Sequence, residues 1–150
     1  MLGYELDPTT LSADERRQVA DQVAFYVAQR EVLQFGRFVR LRSPFEGDGN
    51  TTAWMSISPD RRRAVVGFYQ ALNVPAPGSD RVRLRGLDPR LDYQVSVWPA
   101  GDDSIARANS LVRGGDDLMQ AGLLIPGEKE EAAARGDFWA RLFVLEAQPA

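Results

Sequence analysis

Acidic side chains are the residues of this 150-residue sequence that could do chemistry. The sequence has no histidine and no cysteine, which excludes a Ser-His-Asp triad, a thiolate nucleophile and a zinc site built from either ligand. Glycoside hydrolysis needs only two carboxylates, held about 5–10 Å apart across the substrate. The carboxylates in motif-like loops are Glu5, Asp7, Glu46, Asp48, Asp116 and Asp117. Their spacing defines no pair, so the sequence predicts no catalytic residue, no metal site and no cofactor.

Two of these acidic loops have alternative interpretations. Asp116 and Asp117 follow two glycines, where a carboxylate either caps a helix or contacts a metal ion or a sugar. Helix capping is the more frequent role of such residues. The segment 48–50 (DGN) matches part of a calcium loop but lacks the remaining ligands and the closing glutamate, so we expect a turn there.

Two tryptophans are the candidate ligand contacts. Trp54 and Trp98 fall on the more polar faces of their predicted strands, where an indole could stack on a sugar ring. The alternative is that a helix or a neighbouring domain covers them, because tryptophan is mostly buried in proteins. Both interpretations stay open at this stage.

The charge balance argues against a polyanionic partner. There are 18 basic and 21 acidic residues, and the net charge is −3. Arg81, Arg83 and Arg85 form a stripe without interleaved aromatic residues, which favours a solvated strand face over a nucleic-acid site. No segment is long and apolar enough for a transmembrane helix. We therefore expect neither a nucleic acid nor a membrane as partner.

The elements that must position these residues change character near Gln34. Before it, Ser12 and Glu15 form a capping-box pattern, and Val19, Val23 and Val27 recur at helical spacing, which predicts one amphipathic helix over 12–34. The apolar stripe also includes Tyr26 and Leu33.

After Gln34 the period becomes two. Phe35, Val39 and Leu41 fall on one face of an alternating pattern, and Phe38 falls on the other face among arginines. Further strands are predicted over 52–58, 64–72, 80–87, 91–98, 123–125 and 138–145. The strands 64–72 and 138–145 are apolar on both faces, which places the first of them centrally in a sheet. The sequence predicts a mainly β fold: a two-sheet, Greek-key-like antiparallel sandwich preceded by one long helix.

A set of ordered segments carries a family resemblance. In chain order the segments are 3–7 (GYELD), 25–26 (FY), 33–41 (LQFGRFVRL), 43–46 (SPFE), 52–55 (TAWM), 66–69 (VGFY), 84–89 (LRGLDP), 93–95 (YQV), 114–119 (GGDDLM), 122–123 (GL), 136–138 (GDF) and 141–145 (RLFVL). The set resembles the C-terminal end of family-36 alpha-galactosidases. Two departures are a long charged run at 128–135 and Trp139, where a smaller or polar residue is expected.

The resemblance implies how the chain is divided. Residues 1–34 would be the remnant of the last helix of a (β/α)8 barrel, and residues 35–148 would be the C-terminal β-sandwich domain. The abrupt start at Met1 also predicts a piece of a longer protein. The family's two catalytic aspartates lie on earlier barrel strands, so neither carries over to this sequence. The resemblance further implies a cytoplasmic protein.

Three functional hypotheses follow. The first is a non-catalytic C-terminal domain of an alpha-galactosidase that hydrolyses terminal α-galactosides with retention, with the barrel as its partner and a role in structure or homo-oligomerisation. The second is a carbohydrate-binding module that uses Trp54 or Trp98. The third is a stand-alone interaction domain. In each case the helix must bury its apolar stripe, so we expect it to fold back on the sheet or to mediate a dimer.

Overall fold

The computed structural model describes residues 5–75, 78–100, 104–109, 111–126 and 136–149. Its first element is helix α1, Ala13–Phe35. The Ser12 hydroxyl accepts a hydrogen bond from the Glu15 backbone N–H at 3.2 Å, and the Glu15 carboxylate accepts one from the Ser12 N–H at 2.8 Å. This capping box fixes the start of the helix, as the sequence pattern predicts.

Within the described residues, eight strands and two short helices follow α1. The strands are β1 (Arg37–Arg42), β2 (Thr51–Ile57), β3 (Arg63–Gln70), β4 (Asp80–Val82), β5 (Asp92–Trp98), β6 (Val112–Gly114), β7 (Leu123–Ile125) and β8 (Trp139–Ala147). The short helices are α2 (Ser104–Asn109) and α3 (Gly115–Gln120). The predicted mainly β fold with one long leading helix is confirmed.

The strands form two antiparallel sheets. The large sheet has the order β1-β2-β3-β8-β5-β6, and β4 pairs with β7 in a two-stranded sheet. The two central strands of the large sheet, β3 and β8, are the ones whose sequences are apolar on both faces. Strand β8 separates β3 from β5, although β5 precedes it in the chain.

One face of the large sheet, which we call the core face, is sealed by the rest of the chain. Its buried side chains are Ala53, Met55, Ile57, Ala64, Val66, Phe68, Tyr93, Val95, Val97, Phe143 and Leu145. They pack against a second layer that contains Val82, Leu84, Leu87, Ile105, Leu118, Leu123 and Ile125. Asn109, fully buried, joins α2 to β7 in this layer, since its amide donates to the Ile105 and Leu124 carbonyls. Apolar burial on this scale is the main source of stability.

The opposite face, which we call the outer face, is covered only in part by the residues that the structure describes, and α1 provides that cover. Ser56 of β2 donates a hydrogen bond to the Val32 carbonyl, and Arg63 of β3 donates to the Ala28 carbonyl and to the Gln29 side chain. The helix therefore folds back on the sheet, which is one of the two outcomes expected from the sequence.

Two local predictions are wrong. Phe35 ends α1 instead of starting a strand, and its side chain is 74% exposed. Over 80–87, only Asp80–Val82 is a strand. Leu84 and Leu87 continue the alternation because both are buried, while the Leu84 N–H donates to the Leu118 carbonyl of α3 instead of to a strand. Alternating burial shows which side chains face the core. It does not require the backbone to pair with another strand.

Candidate functional site: the outer face of the sheet

The strand register places both candidate tryptophans on the outer face. Arg40, Trp54, Gly67, Leu142 and Trp98 are successive partners across five neighbouring strands, so their side chains share one row and one face. The two indoles lie on opposite sides of Gly67, with Leu142 beside Trp98.

Trp54 is the centre of an aromatic row. Its ring centroid lies 6.1 Å from that of Phe38 and 6.4 Å from that of Tyr69, both in stacked orientation. The indole also covers Gly67, where an added Cβ atom would lie 2.6 Å from Trp54 Cε2. Glycine is needed at residue 67 because the indole occupies the space of a side chain. We call Phe38, Trp54 and Tyr69 the aromatic row.

The aromatic row is open to solvent. Phe38 is 59% exposed, Tyr69 is 37% exposed and Trp54 is half-buried. Burial raises the pKa of the Tyr69 hydroxyl above its ordinary value, and the neighbouring Trp54 indole partly opposes that shift. Tyr69 is thus neutral at physiological pH and offers an uncharged hydroxyl beside an indole, a chemistry that suits either a sugar or a protein surface.

Trp98 has a different environment. Its ring lies beneath α1, with the Phe25 centroid 4.6 Å away and the two planes tilted by 30°. A sugar ring would have to displace the helix to stack there. Trp54, unlike Trp98, stands in a part of the outer face that no described residue covers. A sugar contact at either residue remains a prediction.

The candidate carboxylates are dispersed. Asp7 accepts hydrogen bonds from Thr9, which lower its pKa, and Asp48 accepts one from the Asn50 N–H in a turn. Asp117 forms an ion pair with Arg113, and Asp116 accepts from the Asp117 N–H. Among the described residues, no group of three potential ligands is arranged to hold a metal ion. These carboxylates shape turns and one short helix.

The arginine stripe borders a broad cleft. Arg81, Arg83 and Arg85 line a cleft of about 900 Å³ together with Arg42, which binds Asp80 through both guanidinium nitrogens. Burial raises the pKa of Asp80, but the hydrogen bond and the charge of Arg42 outweigh it, so the net shift is downward. The other three arginines are exposed, as expected for a solvated face.

The side of α1 that faces the sheet is not the side that carries Val23 and Val27. The stripe that includes Val23 and Val27 points away from the sheet, with 39% and 58% exposure. The contact with the sheet is made instead by Phe25, Gln29 and Val32. The i, i+4, i+7 spacing of these three residues is the signal that could have identified them, but the glutamine in the middle hides it.

Comparison with known proteins identifies the family. The family model described as the glycosyl hydrolase family 36 C-terminal domain matches residues 51–145. This chain belongs to glycosyl hydrolase family 36, in the part of the family that forms its C-terminal domain.

The relatives are alpha-galactosidases. The chain is 41% identical over 124 residues to alpha-galactosidase AgaA of Geobacillus stearothermophilus. This match covers 83% of this chain and 15% of that protein. It is 35% identical over 146 residues to alpha-galactosidase Mel36A of Lactobacillus acidophilus, covering 97% of this chain and 17% of that protein.

Solved structures show the same similarity. The alpha-galactosidase from Lactobacillus brevis superposes with a TM-score of 0.80 at 38% identity, over 99% of this chain and 18% of that one. AgaB of Geobacillus stearothermophilus gives a TM-score of 0.78 at 40% identity, over 97% of this chain and 17% of that one. The similarity therefore includes α1 as well as the sheets, and the chain spans less than a fifth of each relative. No helix in the described part of the chain has the length and apolarity to cross a membrane.

Proposed function

We propose that this chain is the non-catalytic C-terminal domain of an alpha-galactosidase that hydrolyses terminal α-galactosides in oligosaccharides. The observation that carries the proposal is its almost complete match, 99% of its own residues, to 18% of a solved alpha-galactosidase.

In this proposal the chemistry belongs to the rest of the polypeptide. A retaining glycosidase forms a covalent glycosyl-enzyme intermediate on one carboxylate while a second acts as acid and base. Both would be barrel aspartates outside this chain. The chain has no histidine or cysteine that could replace them.

The proposed division of the chain follows the change from helix to strand. Residues 1–34 would complete the (β/α)8 barrel as its last helix, and residues 35–148 would form the appended domain. Gly36 supports this boundary, because it stands between the end of α1 at Phe35 and the start of β1 at Arg37. We propose a cytoplasmic location by the same family resemblance.

An activity assay tests the proposal. We expect the purified chain to release no product from an aryl α-galactoside. AgaA in which this chain replaces the matching C-terminal stretch should be active, and AgaA truncated before that stretch should be impaired. Turnover by the isolated chain through repeated purification would overturn its non-catalytic assignment, and a chimera no better than the truncated enzyme would overturn its role as a domain.

Sugar binding at Trp54 is the second candidate. The half-buried indole lies on the open part of the outer face, next to the Tyr69 hydroxyl. Titrating the chain with raffinose while following tryptophan fluorescence would give a saturable change that Trp54→Ala abolishes and Trp98→Ala retains. A flat titration at millimolar sugar would remove this candidate.

Homo-oligomerisation is a further proposed role. The exposed apolar side chains of α1 support it, since a second copy could bury them. Light scattering on the full chain and on a version starting at residue 35 would test it, and two monomers would exclude it.

A further inference from the structure

Arginine recurs at every second position along the wall of the broad cleft. Arg81, Arg83 and Arg85 are exposed, whereas Val82 and Leu84 between them are buried, at 3% and 1% exposure. Alternate side chains of an extended segment project to one side, about 6.6 Å apart. The three guanidinium groups therefore follow one line along the cleft, and we call these three residues the arginine row.

The charges of the arginine row are not compensated by the described residues around it. None of its guanidinium groups forms an ion pair or a hydrogen bond with another described residue. Among the described residues that line the cleft, Asp80 is the only carboxylate, and Arg42 already binds it through both guanidinium nitrogens. The chain as a whole has a net charge of −3, so the cleft is a local region of positive charge that attracts anions.

The segment that carries the arginine row also has an open strand edge. Strand β4 pairs with β7, and Arg81 lies opposite Leu124. The Leu124 N–H and carbonyl are hydrogen-bonded to the Asn109 side chain instead, at 3.0 and 2.7 Å. Opposite residues of an antiparallel pair either bond to each other or both point their backbone groups outward. The backbone groups of Arg81 therefore point away from β7.

Arg83 extends this edge beyond the end of β4. The Leu84 N–H donates to the Leu118 carbonyl of α3, which leads into β7, so the backbone groups of Arg83 point to the opposite side. The Arg81 N–H donates to the Asp80 carboxylate at 2.7 Å. The Arg81 carbonyl and both backbone groups of Arg83 have no partner among the described residues. An edge with such free groups can pair with a further strand.

We propose that the arginine row and this open edge bind an extended acidic peptide, which is added as a strand beside β4 and has a carboxylate on every second residue. Main-chain hydrogen bonds to the free groups hold the peptide, and the guanidinium groups select its carboxylates. Alternate side chains of the added strand have the same spacing as those of the arginine row. The site belongs to the second layer, across the large sheet from α1, so it goes beyond the proposed function and does not depend on it.

Two other ligands fit these features less well. A single-stranded nucleic acid stacks its bases on aromatic side chains, whereas the apolar side chains that line the cleft are aliphatic, such as Leu41 and Met119. A neutral sugar would leave the charges of the arginine row unused. The remaining alternative is a row of charges that only prevents two sheet edges from pairing, and it predicts that no peptide binds.

Fluorescence anisotropy of labelled peptides tests the proposal on the full 150-residue chain. The probe is a dodecapeptide of alternating glutamate and threonine, and the matched probe has glutamine in place of each glutamate. We expect saturable binding of the glutamate peptide and binding of the glutamine peptide that is weaker by about tenfold or more. No saturation with the chain at about 1 mM would overturn the proposal. Tighter binding of a thymidine oligonucleotide of equal charge would also overturn it, in favour of a nucleic acid.

Arg83→Gln is the variant that tests the arginine row, because Arg83 lies at its centre. It should weaken binding of the glutamate peptide by about tenfold. Arg30→Gln is the matched control, since it removes the same charge from an exposed position on α1, and it should change the affinity by less than about twofold. Both side chains are exposed, so each variant should keep its Tm within about 2 °C of the unsubstituted chain. Equal affinities of the two variants would overturn the role of the arginine row.

N-methylation of the peptide separates strand addition from attraction between charges alone. In an extended peptide of this sequence, the glutamate N–H groups lie on one edge and the threonine N–H groups on the other. Methylating one set therefore blocks hydrogen bonds to β4, and methylating the other set does not. One of the two methylated peptides should bind more weakly than the other by about tenfold. Equal binding of both would overturn the strand addition.

Discussion

The Ser56 hydroxyl of β2 donates a hydrogen bond of 2.6 Å to the carbonyl oxygen of Val32 in the last turn of α1. Both residues are buried, at 3% and 2% exposure. The same carbonyl accepts from the Gly36 N–H at 3.0 Å, and a Cβ atom on Gly36 would lie 2.3 Å from it. Carbonyl groups at a helix end need partners from outside the helix. This contact therefore fixes the end of α1 to the outer face.

Ser56→Ala should detach the last turn of α1 from the sheet. Removing the hydroxyl leaves a buried carbonyl with one partner fewer, which should lower the free energy of unfolding by about 1–2 kcal/mol. Urea denaturation followed by circular dichroism measures it. Ser96→Ala is the control, since Ser96 lies exposed on the same face of β5. Equal midpoints for the two variants would show that the hydroxyl does not hold the helix.

Gly67→Ala should displace the Trp54 indole. The new methyl group would overlap the ring at 2.6 Å, so the ring must move away from Phe38 and Tyr69. We expect a loss of about 1–3 kcal/mol in the free energy of unfolding, with a shift in tryptophan emission. Gly78→Ala provides the comparison, because no atom lies within 4 Å of its Cβ position. Unchanged emission in Gly67→Ala would contradict the close packing.

Asp80→Asn should reduce stability at neutral pH and not in acid. The folded-state pKa of Asp80 is lowered from 3.8, because binding to Arg42 outweighs burial. A carboxyl group whose pKa is lowered in the folded state stabilises the fold at pH values above its unfolded-state pKa. This stabilisation is lost as the pH falls through the folded-state pKa. The Arg42–Asp80 pair is partly exposed and screened by solvent. We therefore expect Asp80→Asn to lower the free energy of unfolding by about 1 kcal/mol at pH 7, and this difference should vanish well below pH 3.8. Urea midpoints across that range measure it, and a constant deficit would refute this assignment.

Phe138→Gly should stabilise the chain. Phe138 has a φ of 55°, a left-handed conformation that is costly for a phenylalanine, and its side chain is 84% exposed. Glycine removes the strain but makes the unfolded chain more flexible, so the net gain should be about 0.5–1 kcal/mol. Phe45→Gly serves as the matched control, because Phe45 is 89% exposed and does not have a positive φ. Thermal unfolding compares the two, and a destabilised Phe138→Gly would indicate a packing role for the ring.

The sequence predicted what depends on local pattern. The capping box located α1 to within one residue, and the apolar composition of β3 and β8 placed β3 centrally in the sheet. The alternation around Trp54 and Trp98 also assigned them to the polar sides of their strands. Each of these features is determined by a few neighbouring residues, so the pattern was sufficient.

Features that depend on distant residues were not predictable in the same way. Whether Phe25 or Val23 faces the sheet depends on Trp98, 73 positions beyond Phe25, because both sides of α1 are apolar. The end of the strand at Val82 depends on α3, whose Leu118 carbonyl takes the N–H of Leu84. Predicting the aromatic row would require the register of β1 against β2 and of β2 against β3 together. The long charged run at 128–135 lies outside the described residues.

The position of β8 has a consequence for synthesis of the protein. Residues 139–147 fill the gap between β3 and β5, so until they are made, the large sheet exists only as two separate pieces with unpaired edges. A ribosome must therefore finish nearly the whole domain before its core can close. A premature stop codon anywhere before this strand would release a product in which the facing edges of β3 and β5 lack the strand that pairs with both.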